Sequence, residues 1–115
     1  MTYCTLSADD TWTTHEGTPT GDDLNRLVGG YFDVATVRDG ILGALTVWMW
    51  EDAKRHHLPV NRIATDLLHQ WRRIRPDDYV AGTVVFTGGA TAQGDTLPLT
   101  DLWLARFIRL GAPSV

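Results

Sequence analysis

The dipeptide Asp39-Gly40 lies between two runs of β-prone residues, and no other feature constrains the fold as strongly. Asp-Gly supplies the positive φ angles that a two-residue hairpin turn requires. The sequence therefore predicts an antiparallel hairpin that pairs Tyr31–Arg38 with Ile41–Trp50. In the second strand both alternating faces are largely apolar, so both must be covered. We expect a second copy of the chain to supply part of that cover, because 115 residues with few helices offer little else.

Residues 60–74 follow a helical rather than a strand period. Their apolar side chains fall within about 140° of a helical wheel, with the polar side chains opposite. Asn61 suits the N-terminal end of such a helix, and Pro76 prevents its continuation. The sequence thus predicts one amphipathic helix over this segment.

A second helix is predicted over residues 101–110, with Thr100 as its N-terminal cap and Gly111 at its end. Its apolar arc, which includes Trp103 and Phe107, is broader than a surface helix needs. Two environments explain a broad arc equally well. The helix either lies in the core of one subunit or packs against more than one surface.

Together these elements predict an α+β fold in a single domain, residues 1–115. The hairpin, a strand over residues 79–87 and an N-terminal strand over residues 2–7 form a small, mostly antiparallel sheet. Helices 60–74 and 101–110 pack on it, and a short helix over residues 22–28 precedes the hairpin.

Five tryptophans are the one unusual feature of the composition. Tryptophan fills cores and protein interfaces alike. Combined with the doubly apolar strand, this number favours a homo-oligomer. The expected interface residues are Trp48, Trp50, Trp103 and Phe107.

A single cysteine excludes an internal disulfide and the multi-cysteine zinc patterns. Neither a long apolar run nor an N-terminal signal pattern occurs, so we expect a cytoplasmic protein without a membrane partner. A net charge of −4 argues against a protein that binds nucleic acid over a wide surface.

The residues that favour metal or nucleophile chemistry do not form a known pattern. His56 and His57 are adjacent, and no spacing typical of zinc ligands occurs, so we expect neither a metal site nor a cofactor. Residues 2–7 and 11–15 suit the two strands of an N-terminal hairpin, and Cys4 and His15 would form a nucleophile pair only if that hairpin placed them side by side. A small buried thiol is the more usual outcome for a cysteine in such a strand.

Several segments resemble a family of small proteins of unknown function encoded by bacteriophages, other mobile elements and actinobacterial genomes. The segments are Val28-Gly29-Gly30-Tyr31-Phe32-Asp33, Leu58-Pro59-Val60-Asn61-Arg62-Ile63-Ala64-Thr65 and Val80-Ala81-Gly82-Thr83-Val84-Val85. They are similar to the family's V-G-G-Y-x-E, L-P-x-N-x-x-A-T and G-x-V-V motifs. Asp33 replaces the family's glutamate, and Trp50-Glu51-Asp52-Ala53 replaces its N-E-x-G turn. The resemblance implies an α+β fold and a mobile-element origin, and it implies no activity.

These positions admit two interpretations. In one they are architectural: glycines for a turn, Tyr31 as a packed aromatic ring, Asn61 as a helix cap, and Thr65 at a close contact. In the other, Tyr31, Asp33, Glu51, Asn61 and Thr65 surround one pocket at a helix N-terminus that holds a small polar ligand. The architectural interpretation is favoured, because any fold needs its turns and caps.

The leading functional hypothesis is a non-enzymatic phage-type or mobile-element accessory protein active in host takeover or counter-defence. It would bind a host protein or sequester a small polar, nucleotide-like ligand. One alternative is a small hydrolase or transferase that uses Asp33 and Glu51 as a carboxylate pair. Another is nucleic-acid binding through the cluster Arg72, Arg73 and Arg75 beside Trp71, which the absence of a second basic patch disfavours.

Overall fold

The computed structural model, which describes residues 1–114, contains one five-stranded sheet and three helices. The strands are ordered β2-β1-β5-β4-β3, and every neighbouring pair is antiparallel. This arrangement confirms the predicted α+β class. The elements are β1 (Thr2–Leu6), β2 (Trp12–Glu16), α1 (Gly21–Val28), β3 (Phe32–Asp39), β4 (Gly43–Trp50), α2 (Arg62–Gln70), β5 (Val84–Gly88) and α3 (Asp101–Leu110).

The chain's own helices cover both faces of the sheet. On one face, Leu45 and Val47 of β4 are fully buried in a core cluster to which α2 and α3 also contribute. On the other face, Trp48 and Trp50 pack with Leu24 and Val28 of α1. The doubly apolar strand is therefore covered within one subunit. A second copy of the chain, which we expected to supply part of this cover, is not needed for it.

The β3–β4 hairpin is present, but its predicted two-residue turn is wrong. Asp39 pairs with Gly43, so residues 40–42 form a three-residue connection. The Asp39 carboxylate accepts hydrogen bonds from the backbone N–H groups of Ile41 and Leu42, both at 2.8 Å. The loop and the start of β4 also dock on α3: the hydroxyl of its cap Thr100 donates to the Leu42 carbonyl oxygen at 2.7 Å, and the indole N–H of Trp103 donates to the Gly43 carbonyl oxygen at 2.8 Å. These tertiary contacts favour the longer loop over the compact Asp-Gly turn.

The amphipathic helix is shorter at both ends than residues 60–74. It begins after the cap Asn61, as predicted, and ends at Gln70. The next turn is closed by Arg72 N–H donating to the His69 carbonyl and Arg73 N–H donating to the Leu68 carbonyl, with Arg72 at a φ of 56°. This is the Schellman hydrogen-bonding pattern with arginine where glycine is usual. The turn stops the helix well before Pro76.

The strand predicted over residues 79–87 begins only at Val84. Before it, Gly82 adopts a φ of 78°, and a methyl group there would overlap the side chain of Leu58. Ala81 forms an isolated bridge with Val60 instead of joining the sheet. Residues 80–83 therefore wrap around the start of α2.

The remaining elements follow their sequence signals closely. Thr20 caps α1 in a capping box with Asp23, and Gly29 ends that helix in the left-handed conformation. Thr100 caps α3, which spans the predicted residues 101–110. Within residues 1–114, no helix has the length and apolarity needed to cross a membrane.

Asn61 is the polar centre of the core, with none of its surface exposed. Its side-chain oxygen accepts from Ala64 N–H at 3.2 Å. Its amide nitrogen donates to the carbonyl oxygens of Leu6 at 3.0 Å and Gly82 at 2.9 Å. One side chain therefore caps α2 and joins it to β1 and to the segment before β5.

We expect Asn61→Ala to lower the free energy of unfolding by about 2 to 4 kcal/mol, because it removes a cap and leaves two buried carbonyl groups without their donor. Urea unfolding followed by circular dichroism measures the change. The matched control is Thr20→Ala, which removes the exposed cap of α1 and should cost about 1 kcal/mol. Equal losses for the two variants would contradict a central role for Asn61.

Candidate functional site

A cleft of about 580 Å³ lies between the open end of the β3–β4 hairpin and the segment that follows α2. Asp33 and Met49 are directly paired across the hairpin, and Glu51 follows β4. Because side chains alternate along a strand, Asp33 projects on the face that α2 covers, and Glu51 lines the same cleft. The charged residues that line the cleft are Asp33, Glu51, Lys54, Arg72, Arg73, Arg75 and Asp78.

Some of these charges neutralise one another. The Lys54 ammonium group forms an ion pair with the Asp78 carboxylate, and it also lies 4.6 Å from the centroid of the Tyr79 ring. The hydrogen bond from Lys54, together with one from Tyr79 N–H, holds the pKa of Asp78 below its usual value. Arg75 approaches Asp77 at 3.6 Å, between Nε and Oδ1. These groups form the paired part of the cleft.

Four other charges have no such partner within residues 1–114. Arg72 and Arg73 lie on the α2 side, and neither forms an ion pair there. Asp33 and Glu51 lie on the hairpin side and likewise form none. All four side chains belong to exposed residues. The cleft therefore presents positive charge on one wall and negative charge on the other.

Arg72 occupies a conformation that L-amino acids rarely adopt. Its φ of 56° is in the left-handed region, which costs a non-glycine residue about 1 kcal/mol or more. Glycine would close the same turn without that cost. The strained backbone thus carries a charged side chain at the cleft.

The five residues expected around one pocket do not come together. Asn61 and Thr65 are buried, and neither lines the cleft. The Thr65 hydroxyl donates to the Asn61 carbonyl at 2.7 Å and accepts from Val80 N–H at 2.9 Å. Tyr31 is 78% exposed, so it is not the packed aromatic residue of the architectural interpretation. Asp33 and Glu51 do share the cleft.

Sequence reasoning treated the carboxylate pair and the arginine cluster as separate candidates, whereas the fold brings both to one cleft. It missed Lys54, Asp78 and Tyr79 entirely. Lys54 follows the hairpin, and the other two precede β5. No local pattern marks these positions, because only the packing of α2 against the hairpin brings them together.

Of the four aromatic residues expected at an interface, two are buried and two, Trp48 and Trp50, are half-buried. Trp103 is 1% exposed and Phe107 is fully buried, so both belong to the core. Trp48 donates its indole N–H to the Thr87 hydroxyl at 2.9 Å. Trp50 stacks on His56, and a methyl group at Gly30 would overlap its indole ring. The contacts within the subunit explain the burial of these four residues, and the expected homo-oligomer stays a prediction.

The remaining aromatic and nucleophile candidates are also placed by the fold. Trp71 packs edge-on against Trp103, with ring centroids 5.6 Å apart, so it does not extend the arginine cluster as a stacking surface.

Cys4 lies in the core between the sheet and the helices α2 and α3. His15 lies on the other face, stacked on Tyr3 at 4.7 Å, so the two cannot form a nucleophile pair. Across residues 1–114, no three metal-binding side chains converge.

We expect Arg72→Gly to raise the free energy of unfolding by about 0.5 to 1 kcal/mol, because the left-handed conformation suits glycine. Arg73→Gly is the matched control, since the same substitution one residue later, where φ is not positive, should be destabilising. Urea unfolding of both variants measures the difference. A loss of stability in Arg72→Gly as large as that in Arg73→Gly would contradict the assignment of strain to Arg72.

Burial raises the pKa of the Cys4 thiol to about 11. At about pH 8 the folded protein should therefore react with iodoacetamide roughly 100-fold more slowly than the unfolded chain, because only the thiolate reacts. Mass spectrometry over a time course, with and without concentrated urea, measures both rates. Comparable rates would show that Cys4 is accessible in the folded state.

Comparison with known proteins identifies one family. The profile of DUF3846, a domain of unknown function, matches residues 8–110. No curated protein and no solved structure matches the chain. The expectation of an uncharacterised family is thus confirmed. Because the match spans nearly all the elements of the fold, the chain belongs to the DUF3846 family.

Proposed function

We propose that this protein is a non-enzymatic accessory protein of phage or mobile-element type that sequesters a small, anion-bearing, nucleotide-like ligand in the cytoplasm of its host. The observation that carries the proposal is the pair Arg72 and Arg73, which line the cleft without an ion-pair partner in residues 1–114. The motif resemblance supports the mobile-element origin.

The size and chemistry of the cleft support a small ligand. Its volume of about 580 Å³ is in the range that small-molecule sites occupy. Arginine binds phosphate and carboxylate groups through two parallel N–H donors, which makes it the residue of choice for anions.

Two alternatives receive less support. Asp33 and Glu51 line one cleft, which a carboxylate-pair hydrolase requires, but both are exposed, whereas catalytic carboxyl groups are generally enclosed. Nucleic-acid binding would use the arginine cluster, but carboxylates share its surface and Trp71 packs against Trp103. Sequestration of a small ligand needs neither an enclosed catalytic carboxyl group nor an extended positive surface.

Isothermal titration calorimetry with nucleoside monophosphates tests the proposal. We expect Arg73→Gln to weaken binding about tenfold, because it removes a charge-assisted contact to the phosphate. Arg109→Gln is the matched control: Arg109 is exposed near a helix end but lies outside the cleft, so affinity should not change. Equal affinity for all three proteins, or no binding of any phosphate compound, would contradict the proposal.

Native mass spectrometry of protein purified from its host provides a second readout. Sequestration predicts a bound small molecule that survives purification and is lost in Arg73→Gln. The same spectrum reports the assembly state, and thereby tests the expected homo-oligomer. A stoichiometric host protein in place of a small molecule would favour the other form of the accessory hypothesis.

A further inference from the structure

The opposed charges of the cleft restrict its ligand further than anion binding alone. Arg72 and Arg73 follow α2 on one wall, while Asp33 and Glu51 lie at the hairpin end on the other. The arginines form no ion pair with these carboxylates, although all four line one cleft. The positive and the negative groups are therefore separate on the two walls of the cleft.

From this separation we infer that the ligand is bipolar, with a phosphate group that faces Arg72 and Arg73 and an amino-bearing hydrogen-bond donor group that faces Asp33 and Glu51. The inference rests on the proposed function and specifies its ligand. It assigns the two carboxylates to ligand selection rather than to catalysis.

Electrostatics favour such a ligand over a purely anionic one. A compound with phosphate alone gains from the arginine wall but brings its negative charge close to two carboxylates. A compound that also carries donors places them where the carboxylates accept hydrogen bonds, and charge-assisted bonds of this kind are the stronger ones. Binding of such a ligand then provides partners for the arginines and the carboxylates at the same time.

Among nucleotides, the guanine base meets this requirement. Its N1–H and exocyclic N2 amino groups lie side by side and match the two oxygens of one carboxylate. Hypoxanthine has the same ring and the same N1–H but lacks the amino group. Guanosine 5′-monophosphate and inosine 5′-monophosphate therefore form a matched pair of probes.

The experiment is calorimetric titration of the full chain with these two nucleotides, with guanosine and with inorganic phosphate. We expect guanosine 5′-monophosphate to bind at least about fivefold more tightly than inosine 5′-monophosphate, and more tightly than either fragment. The isosteric variants Asp33→Asn and Glu51→Gln should reduce that fivefold preference. The control Glu16→Gln changes an exposed carboxylate outside the cleft and should leave the preference intact.

Two results would overturn the inference, and they differ from each other. If the two nucleotides bind equally and the Asp33 and Glu51 variants strengthen every phosphate compound alike, the carboxylates only repel. The ligand is then purely anionic and the proposed function stands. If Arg73→Gln also leaves every affinity unchanged, both the bipolar ligand and the proposed function fail.

Discussion

The hydrogen bonds of one buried side chain, Asn61, join α2 to the sheet. Asn61 caps α2 and at the same time donates to carbonyl groups of β1 and of the segment before β5. Thr65, one turn later, fixes Val80 from the same helix. An amide side chain with three satisfied bonds in the core is costly to replace, because each lost bond leaves a buried polar group without a partner. The orientation of α2 against the sheet depends on this network.

The cleft is a consequence of that orientation. Once Asn61 fixes the start of α2, the short helix ends opposite the open end of the hairpin, where Arg72 closes its last turn. Thr65 anchors Val80, and the two residues just before Val80, Asp78 and Tyr79, line the cleft. A packed core therefore positions charges that are themselves exposed.

Local signals were sufficient wherever a short range of sequence decides the conformation. The caps Asn61 and Thr100 were recognisable because each supplies a side-chain acceptor to its own helix. The early end of α2 was not recognisable, because the residue in the left-handed conformation that ends it is arginine, whereas the sequence signal for such an end is glycine. The hairpin loop was misjudged for a related reason, since its contact with α3 joins residues 60 positions apart. The number of tryptophans is likewise visible in the sequence, whereas their contacts are not, and the homo-oligomer inferred from that number stays a prediction.

By itself, the sequence determined the elements, their order and the α+β class, because caps, turns and hydrophobic periods act over a few residues. It also offered the carboxylate pair Asp33 and Glu51 and the arginine cluster as candidates for two separate, alternative functions. Only the tertiary structure decided that they share a cleft, that Trp103 is buried in the core, and that α1 covers the second face of β4. The physical reason is that charge proximity and shared burial arise between segments far apart in the chain, and these depend on packing rather than on local pattern.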